Sequence, residues 1–289
     1  MSISRRRFLK GTGAVVAAGA LAIGADAAIF EPNDPKVVNI EISLRRLPQA
    51  FDGFTIAQIS DFHYSELCAI PIRRAVEMLK KLQPDMVVLT GDFVTVPMLS
   101  NYLHKKQAAE SAEPCAGILS ALHPRAGMFA VLGNHDVDSD HGWITEIIES
   151  KGIPVLRNRS LAIEKDGARF WLAGVDDALV GRPDLKLALH DVPTGEMVVL
   201  LAHEPDFADE TARHPVDLQL SGHSHGGQIW LPVVGAPWLP PLGRLYPRGL
   251  RKIRDLTLYT NIGLGTIRLP VRLNCPPEIT MLRLRSAER

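Results

Sequence analysis

Five short segments of this 289-residue chain concentrate side chains able to bind divalent cations. They are Asp61-Phe62-His63, Gly91-Asp92, Gly133-Asn134-His135-Asp136, His203, and Gly222-His223-Ser224-His225. Together they hold His63, His135, His203, His223 and His225, half of the ten histidines. Taken singly each segment is ordinary, because Asp, Asn and Gly belong in turns for local backbone reasons. Taken jointly they offer carboxylate, amide and imidazole donors, a mixed set that suits Mn, Fe, Zn or Co. Gly222-His223-Ser224-His225-Gly226 also has the G-x-S-x-G spacing of a hydrolase nucleophile elbow. That chemistry requires a histidine later in the chain. None follows His225, so Ser224 is a spacer between two ligands.

The elements that must position these residues can be read from hydrophobic pattern. A strand is expected near Val37–Leu44, and short apolar runs at Phe54–Ser60, Asp85–Thr90 and Gly127–Leu132 suit buried strands. Helical spacing appears at Ile72–Leu82, which stops before Pro84, around Lys105–Leu122, and at Trp143–Lys151. Further strands are expected near Phe170–Gly174, Met197–Ala202, Leu218–Ser221, Leu256–Asn261 and Glu278–Arg283. Strands interleaved with helices, then a strand-rich end, predict an α/β fold built as a layered α/β sandwich. Five of these strands run straight into the five polar segments. Ligands in open α/β sheets gather beyond the carboxyl ends of strands, so the segments can converge on one site.

Read in chain order, D-x-H, G-D, G-N-H-D, H and G-H-S-H resemble the signature of calcineurin-like metallophosphoesterases, from Asp61 to His225. Gly226-Gly227-Gln228 and the later L-P-V-R-L-N-C-P-P-E-I-T are similar to the exported bacterial phosphodiesterase branch of that family. The resemblance implies two central mixed sheets flanked by helices, around a binuclear metal centre. In it Asp61, His63 and His225 hold one ion, Asn134, His203 and His223 hold the second, and Asp92 bridges them. It also implies hydrolysis of a phosphate ester, with a phosphodiesterase expected, phospholipid-like diesters and sugar-lipid pyrophosphates as candidate substrates and soluble nucleotides as the alternative. Two divalent ions roughly 3.5–4 Å apart clamp the anionic oxygens and acidify a bound water to the attacking hydroxide. His135 is implied as the group that protonates the leaving oxygen, a duty suited to a pKa of about 6.5. One departure concerns that histidine. Relatives that read G-D-x-x-D orient it with the second Asp, where this chain has Thr95, leaving Asp136 or Asp138 as substitutes. A non-catalytic metal-binding scaffold of the same fold is the competing reading. It predicts missing ligands, and none is missing.

The composition, 46% hydrophobic and 22% charged, is that of a globular protein. Basic and acidic side chains balance at 32 each, which argues against a nucleic-acid partner. Ser4-Arg5-Arg6-Arg7-Phe8-Leu9-Lys10, followed by a Gly/Ala/Val stretch to Ala25, resembles a twin-arginine (Tat) export signal. The expected organisation is therefore a signal peptide over 1–27 and a single metallophosphoesterase domain over 28–289. An uncleaved anchor is the alternative, although the apolar stretch falls short of about 20 strongly apolar residues. Cleavage removes four basic residues and Asp26, leaving 28 basic against 31 acidic, a net charge of −3. The expected partners are a phosphate-ester substrate and the Tat machinery, and the expected location is the periplasm or the outer face of the cytoplasmic membrane. Cys68, Cys115 and Cys275 lack metal-site spacing and are expected as buried free thiols. Between Trp230 and Pro247 runs an apolar, proline-stiffened segment, followed by Arg248, Arg251, Lys252 and Arg254, with Arg244 inside it. It is expected either to border the pocket or touch a membrane surface, its cations near a lipid or phosphate head group, or to be a packed surface loop.

Overall fold

Short apolar runs flanked by helices fold as strands covered on both faces, which is why they read as continuous rather than alternating hydrophobic stretches. The computed structural model describes residues 5–97 and 99–287. Its strands in chain order are β1 (Lys36–Leu44), β2 (Thr55–Ile59), β3 (Met86–Leu89), β4 (Met128–Ala130), β5 (Arg159–Lys165), β6 (Ala168–Gly174), β7 (Val198–Leu201), β8 (Leu218–Ser221), β9 (Gly249–Ile253), β10 (Leu256–Thr260) and β11 (Glu278–Ser286). They form one sheet ordered β1-β11-β2-β3-β4 and another ordered β5-β6-β7-β8-β10-β9. Both are mixed: β2, β3 and β4 are parallel, β11 runs antiparallel to β2, and β5 and β9 are antiparallel edges.

The two sheets bury their facing sides against each other through residues such as Ile56, Val88, Val131, Leu172, Leu201, Leu220 and Leu282. The helix Ala69–Leu82 covers the outer face of the first sheet with Ile72, Val76 and Leu79, beside Leu119 and Ile148 from its neighbours. Leu185, Ala188 and Ala208 cover the second sheet. This helix–sheet–sheet–helix layering is the expected α/β sandwich. The three cysteines are buried and free.

Three differences from the sequence reading have physical causes. The helix expected over Lys105–Leu122 is two helices, Tyr102–Ala109 and Ala112–Leu119. Pro114 has no N–H to return to Glu110, so one continuous helix would lose a bond and gain a clash there. Strands β5 and β9 escaped notice because these edge strands, R-S-L-A-I-E-K and G-L-R-K-I, mix charged with apolar residues and lack the continuous buried apolar run of the central strands.

At the amino end, a helix over Arg5–Ala25 continues through turns to Asn33. Ser4, and the side chains of the export motif at 5–10, lie outside the described residues. The segment Gly11–Asn33 is long and apolar enough to cross a membrane and is almost wholly exposed. Its end is tied down: Arg272 N donates to Ala27 O at 2.9 Å, and the Glu31 carboxylate accepts from the backbone of Asn274 and Cys275.

Candidate metal centre

All five strand ends point their following loops at one place. Asp61 and His63 follow β2, Asp92 follows β3, Asn134 and His135 follow β4, His203 follows β7, and His223 and His225 follow β8. Sheet order makes β2, β3 and β4 neighbours in one layer and β7 and β8 neighbours in the other, so the site forms where the two layers meet. Turning each side chain inward strains the backbone. Asp61, His63, Asp92, His223 and His225 have φ between 42° and 68°, the left-handed region. Such conformations cost about 1–3 kcal/mol each and persist where function needs them.

Three adjoining glycines have no room for a Cβ. One on Gly133 would lie 2.3 Å from Asp92 Oδ1, one on Gly222 would lie 2.4 Å from Asp61 Oδ2, and one on Gly91 would lie 2.8 Å from His203 Nδ1. Gly263 and Gly265 close the site from behind in the same way, against Asp61 and the Phe62 carbonyl.

The donor atoms fall into overlapping groups: Asp61, His63 and His225; His63, Asp92 and His135; and Asp92, His203 and His223. Each is gathered within 4.8 Å. Asp92 Oδ2 lies 3.4 Å from His63 Nε2 and 3.2 Å from His203 Nε2, between the outer groups. His63 Nε2 and His225 Nε2 stand 3.0 Å apart with Asp61 Oδ1 3.4 Å from the latter. That spacing fits two ligands at right angles about an ion bound at about 2.1 Å. Buried polar atoms are normally paired. Here Asn134 Oδ1 is buried at the site without a hydrogen-bond partner, and His203 Nε2 meets the Asp92 carboxylate. This donor set fits a dimetal centre.

Outer contacts fix which ring nitrogen is left free. His203 Nδ1 donates to Thr90 O at 2.6 Å, which aims Nε2 at Asp92. His223 Nε2 donates to Pro241 O at 2.7 Å, leaving Nδ1. Such contacts set tautomer and ring orientation in metal-ligating histidines. His63 Nδ1 lies 3.0 Å from Thr95 Oγ1.

That last contact corrects the expectation about Thr95. It serves His63, not His135. The Nδ1 of His135 instead accepts from Val96 N at 2.9 Å, while its backbone N–H donates to Asp92 Oδ1. Neither Asp136 nor Asp138 orients it. Asp136 accepts from the backbone of Phe93, Val94 and Gly133, and burial pushes its carboxyl up to about 7; Asp138 pairs with Lys105. The pKa expected for His135 also changes. Burial leads in pushing it down to about 4, and the His63 and His203 rings act in the same sense against Asp92 and Asp138. At neutral pH it is a neutral ring with its hydrogen on Nε2.

The two carboxylates at the centre differ. Burial raises the Asp61 carboxyl, with the Asp92 charge adding to it. Burial acts against Asp92 as well, but the His203 and His135 rings outweigh it and hold that carboxyl well below its usual range. Ser224 is committed elsewhere, donating to Pro247 O and accepting from Gly226 N, so it is no nucleophile.

The site opens into a cleft of about 650 Å³, lined by Thr95, Lys105, Asn134, His135, Ile267 and Arg268 among others. Arg268 was not anticipated as a cleft residue, although it immediately precedes the L-P-V-R-L-N-C-P-P-E-I-T stretch singled out in the sequence. Of the cations that were, Arg248 stacks on Trp230 at 3.7 Å and Arg251 and Lys252 lie exposed on β9. The 230–247 segment does border the centre, through Pro241.

Residues 54–227 match the calcineurin-like phosphoesterase family, and residues 2–22 match the signal sequence of the twin-arginine translocation pathway. The chain is 36% identical to a metallophosphoesterase, YkuE, of Bacillus subtilis (strain 168), over 98% of each. It is 32% identical to the phosphodiesterase YaeI of Escherichia coli (strain K12), over 98% of this chain and 99% of that one. A UDP-2,3-diacylglucosamine pyrophosphatase, LpxG, of Chlamydia trachomatis is 27% identical over 88% and 90%.

Proposed function

The chain belongs to the calcineurin-like phosphoesterase family, and from that premise we propose that it is an exported, metal-dependent phosphodiesterase. Asp61, His63 and His225 would hold one divalent ion, Asn134, His203 and His223 would hold the second, and Asp92 would stand between them. Mn, Fe, Zn and Co all suit this donor set. The observation that carries the reading is the buried Asp92 carboxylate between the His63 and His203 rings, with three overlapping donor groups gathered around it.

Two such ions supply neutralisation of the phosphate charge and acidify water at neutral pH. The chain's own residues do the rest. Hydrolysis adds the oxygen of water to phosphorus, breaks one ester P–O bond and hands a proton to the departing alcohol. His135, tethered at Nδ1 by Val96 and neutral at neutral pH, is placed to donate a hydrogen bond from Nε2–H to the leaving oxygen and steady its charge, while the departing alcohol takes its proton from the attacking water. Arg268, at the cleft wall, adds positive charge beside the phosphate position. The amino-terminal signal implies export across the cytoplasmic membrane. We place the folded domain, from residue 28, at the outer face of that membrane or in the periplasm.

The test is metal content together with hydrolysis of bis-p-nitrophenyl phosphate, in wild type and Asp92→Asn. About two ions per chain and a diesterase activity lost in the variant are expected. A wild type that binds no metal and stays inactive in Mn or Zn would overturn the reading and leave a non-catalytic scaffold.

A further inference from the structure

Beside the cleft lies a smaller trough of about 200 Å³ walled by Ile229, Trp238, Ile267, Leu269 and Val271, with the metal-centre residue His225 among its lining. The two depressions share Ile267 and Arg268, so they are continuous. Apolar walls that stay open to water beside a charged centre cost solvation free energy unless a ligand covers them.

The trough is held open by specific contacts. Gly227 lets the 236–238 turn approach the ligand loop, since a Cβ there would lie 2.4 Å from the Ala236 Cβ. Gln228, in the left-handed region, spends its whole side chain on the opposite wall. Its Oε1 accepts from Ile267 N at 2.5 Å, and its Nε2 donates to Leu269 O and Val271 O. The wall is thereby bolted to the loop that carries His223 and His225. At the junction the Arg268 guanidinium stacks 4.4 Å from the centre of the Trp238 ring, on a backbone with φ of 64°. A cation therefore stands where cleft and trough meet, and hydrocarbon-lined walls lead away from it.

An amphiphile matches this layout: an anionic phosphate in the cleft and a hydrocarbon chain alongside. Resting on the phosphodiesterase reading, we propose that the trough is the subsite for the alkyl chain of a lipid-like phosphodiester, with Arg268 at the phosphate end of that chain. Trp238 and Leu269 form the rim, and both are substantially exposed, so the chain enters from outside without a lid having to move.

A series of p-nitrophenyl alkyl phosphodiesters, methyl to decyl, tests this on the metal-loaded enzyme below micelle concentrations. The expected kcat/KM rises about fourfold per methylene until the trough is filled, then levels off. Leu269→Asn and Val271→Asn flatten that slope, each measured against its own methyl ester. Independently of turnover, tryptophan emission is expected to report decyl phosphate binding at concentrations at least about a hundredfold below methyl phosphate. Wild type that hydrolyses bis-p-nitrophenyl phosphate but shows no gain with chain length would overturn the subsite and leave the phosphodiesterase reading standing. No turnover of any of these diesters would instead bring down that reading. A slope unchanged in both variants, with circular dichroism like wild type, would place the chain elsewhere and also overturn the trough.

Discussion

The ligand residues are held by contacts that cost little to make and much to lose. Thr95 is the clearest case. Its hydroxyl touches the back of His63, and removing such an outer partner lowers metal affinity or activity by about 10–100-fold. Thr95→Val is therefore expected to show that loss in metal titrations, with Thr95→Ser restoring most of it. Gly133 makes a sharper prediction. An added methyl would sit 2.3 Å from Asp92 Oδ1 and 2.7 Å from His203 Cε1, on the carboxylate proposed to bridge the ions and on its partner. Gly133→Ala should lose metal while keeping a wild-type far-UV spectrum, and retention of two ions would contradict this account of the glycine. The D-x-H, G-D, G-N-H-D and G-H-S-H segments were legible in the sequence because donor types and strand-end position are local properties. The partners of Thr95 and His135 were not, because a hydroxyl six residues past β3 can face either ring until the turn's φ values are set.

At the scale of elements, the loop after β6 links the second sheet to the cleft. Asp176 accepts from Arg182 N and pairs with Arg157, and Val180 within the same loop lines the cleft. Burial works against the Asp176 charge, but the Arg157 and Arg182 contacts prevail and hold its carboxyl below the usual value. A carboxyl whose folded pKa is depressed stabilises the fold above its unfolded pKa, about 3.9, and loses that contribution as pH falls through the folded value. Arg157→Met should thus be less stable than wild type near neutral pH, with the gap closing below about pH 4. A gap independent of pH in denaturant melts would contradict it. The buried parallel strands were readable from their apolar runs. The edge strands β5 and β9 were hidden by their mix of charged and apolar residues, and the broken helix shows Pro114 overriding a good helical pattern.

For the whole molecule, two joins matter: sheet to sheet at the metal centre, and the amino-terminal segment to the domain. Ions that bind only the folded chain stabilise it by mass action, about 2.7 kcal/mol at a hundredfold excess over Kd. Chelation should lower the Tm of wild type clearly and that of Asp92→Asn far less. Glu31 ties the segment past the export signal to Asn274 and Cys275. Charged hydrogen bonds contribute about 1.5–3 kcal/mol, so Glu31→Ala should lower the Tm by several degrees. The Glu31 ties fall beyond Ala27, so cleavage there keeps them and removes the bond from Arg272 N to Ala27 O. Sequencing the amino terminus of the exported protein distinguishes a chain beginning at residue 28 from one retained on its apolar helix.

Which side chains offer metal-binding donors, and in what order along the chain, is read from the sequence alone, because strand ends and donor types are short-range features. Which nitrogen of each histidine faces inward depended on the packed fold, where Thr90 and Pro241 carbonyls, distant in sequence, reach the rings. The same holds for the trough. Gln228 and the 267–271 wall lie about forty residues apart, and three hydrogen bonds that no local pattern encodes bring them together. Local chemistry specifies the donors; only long-range packing sets their aim and what lies beside them.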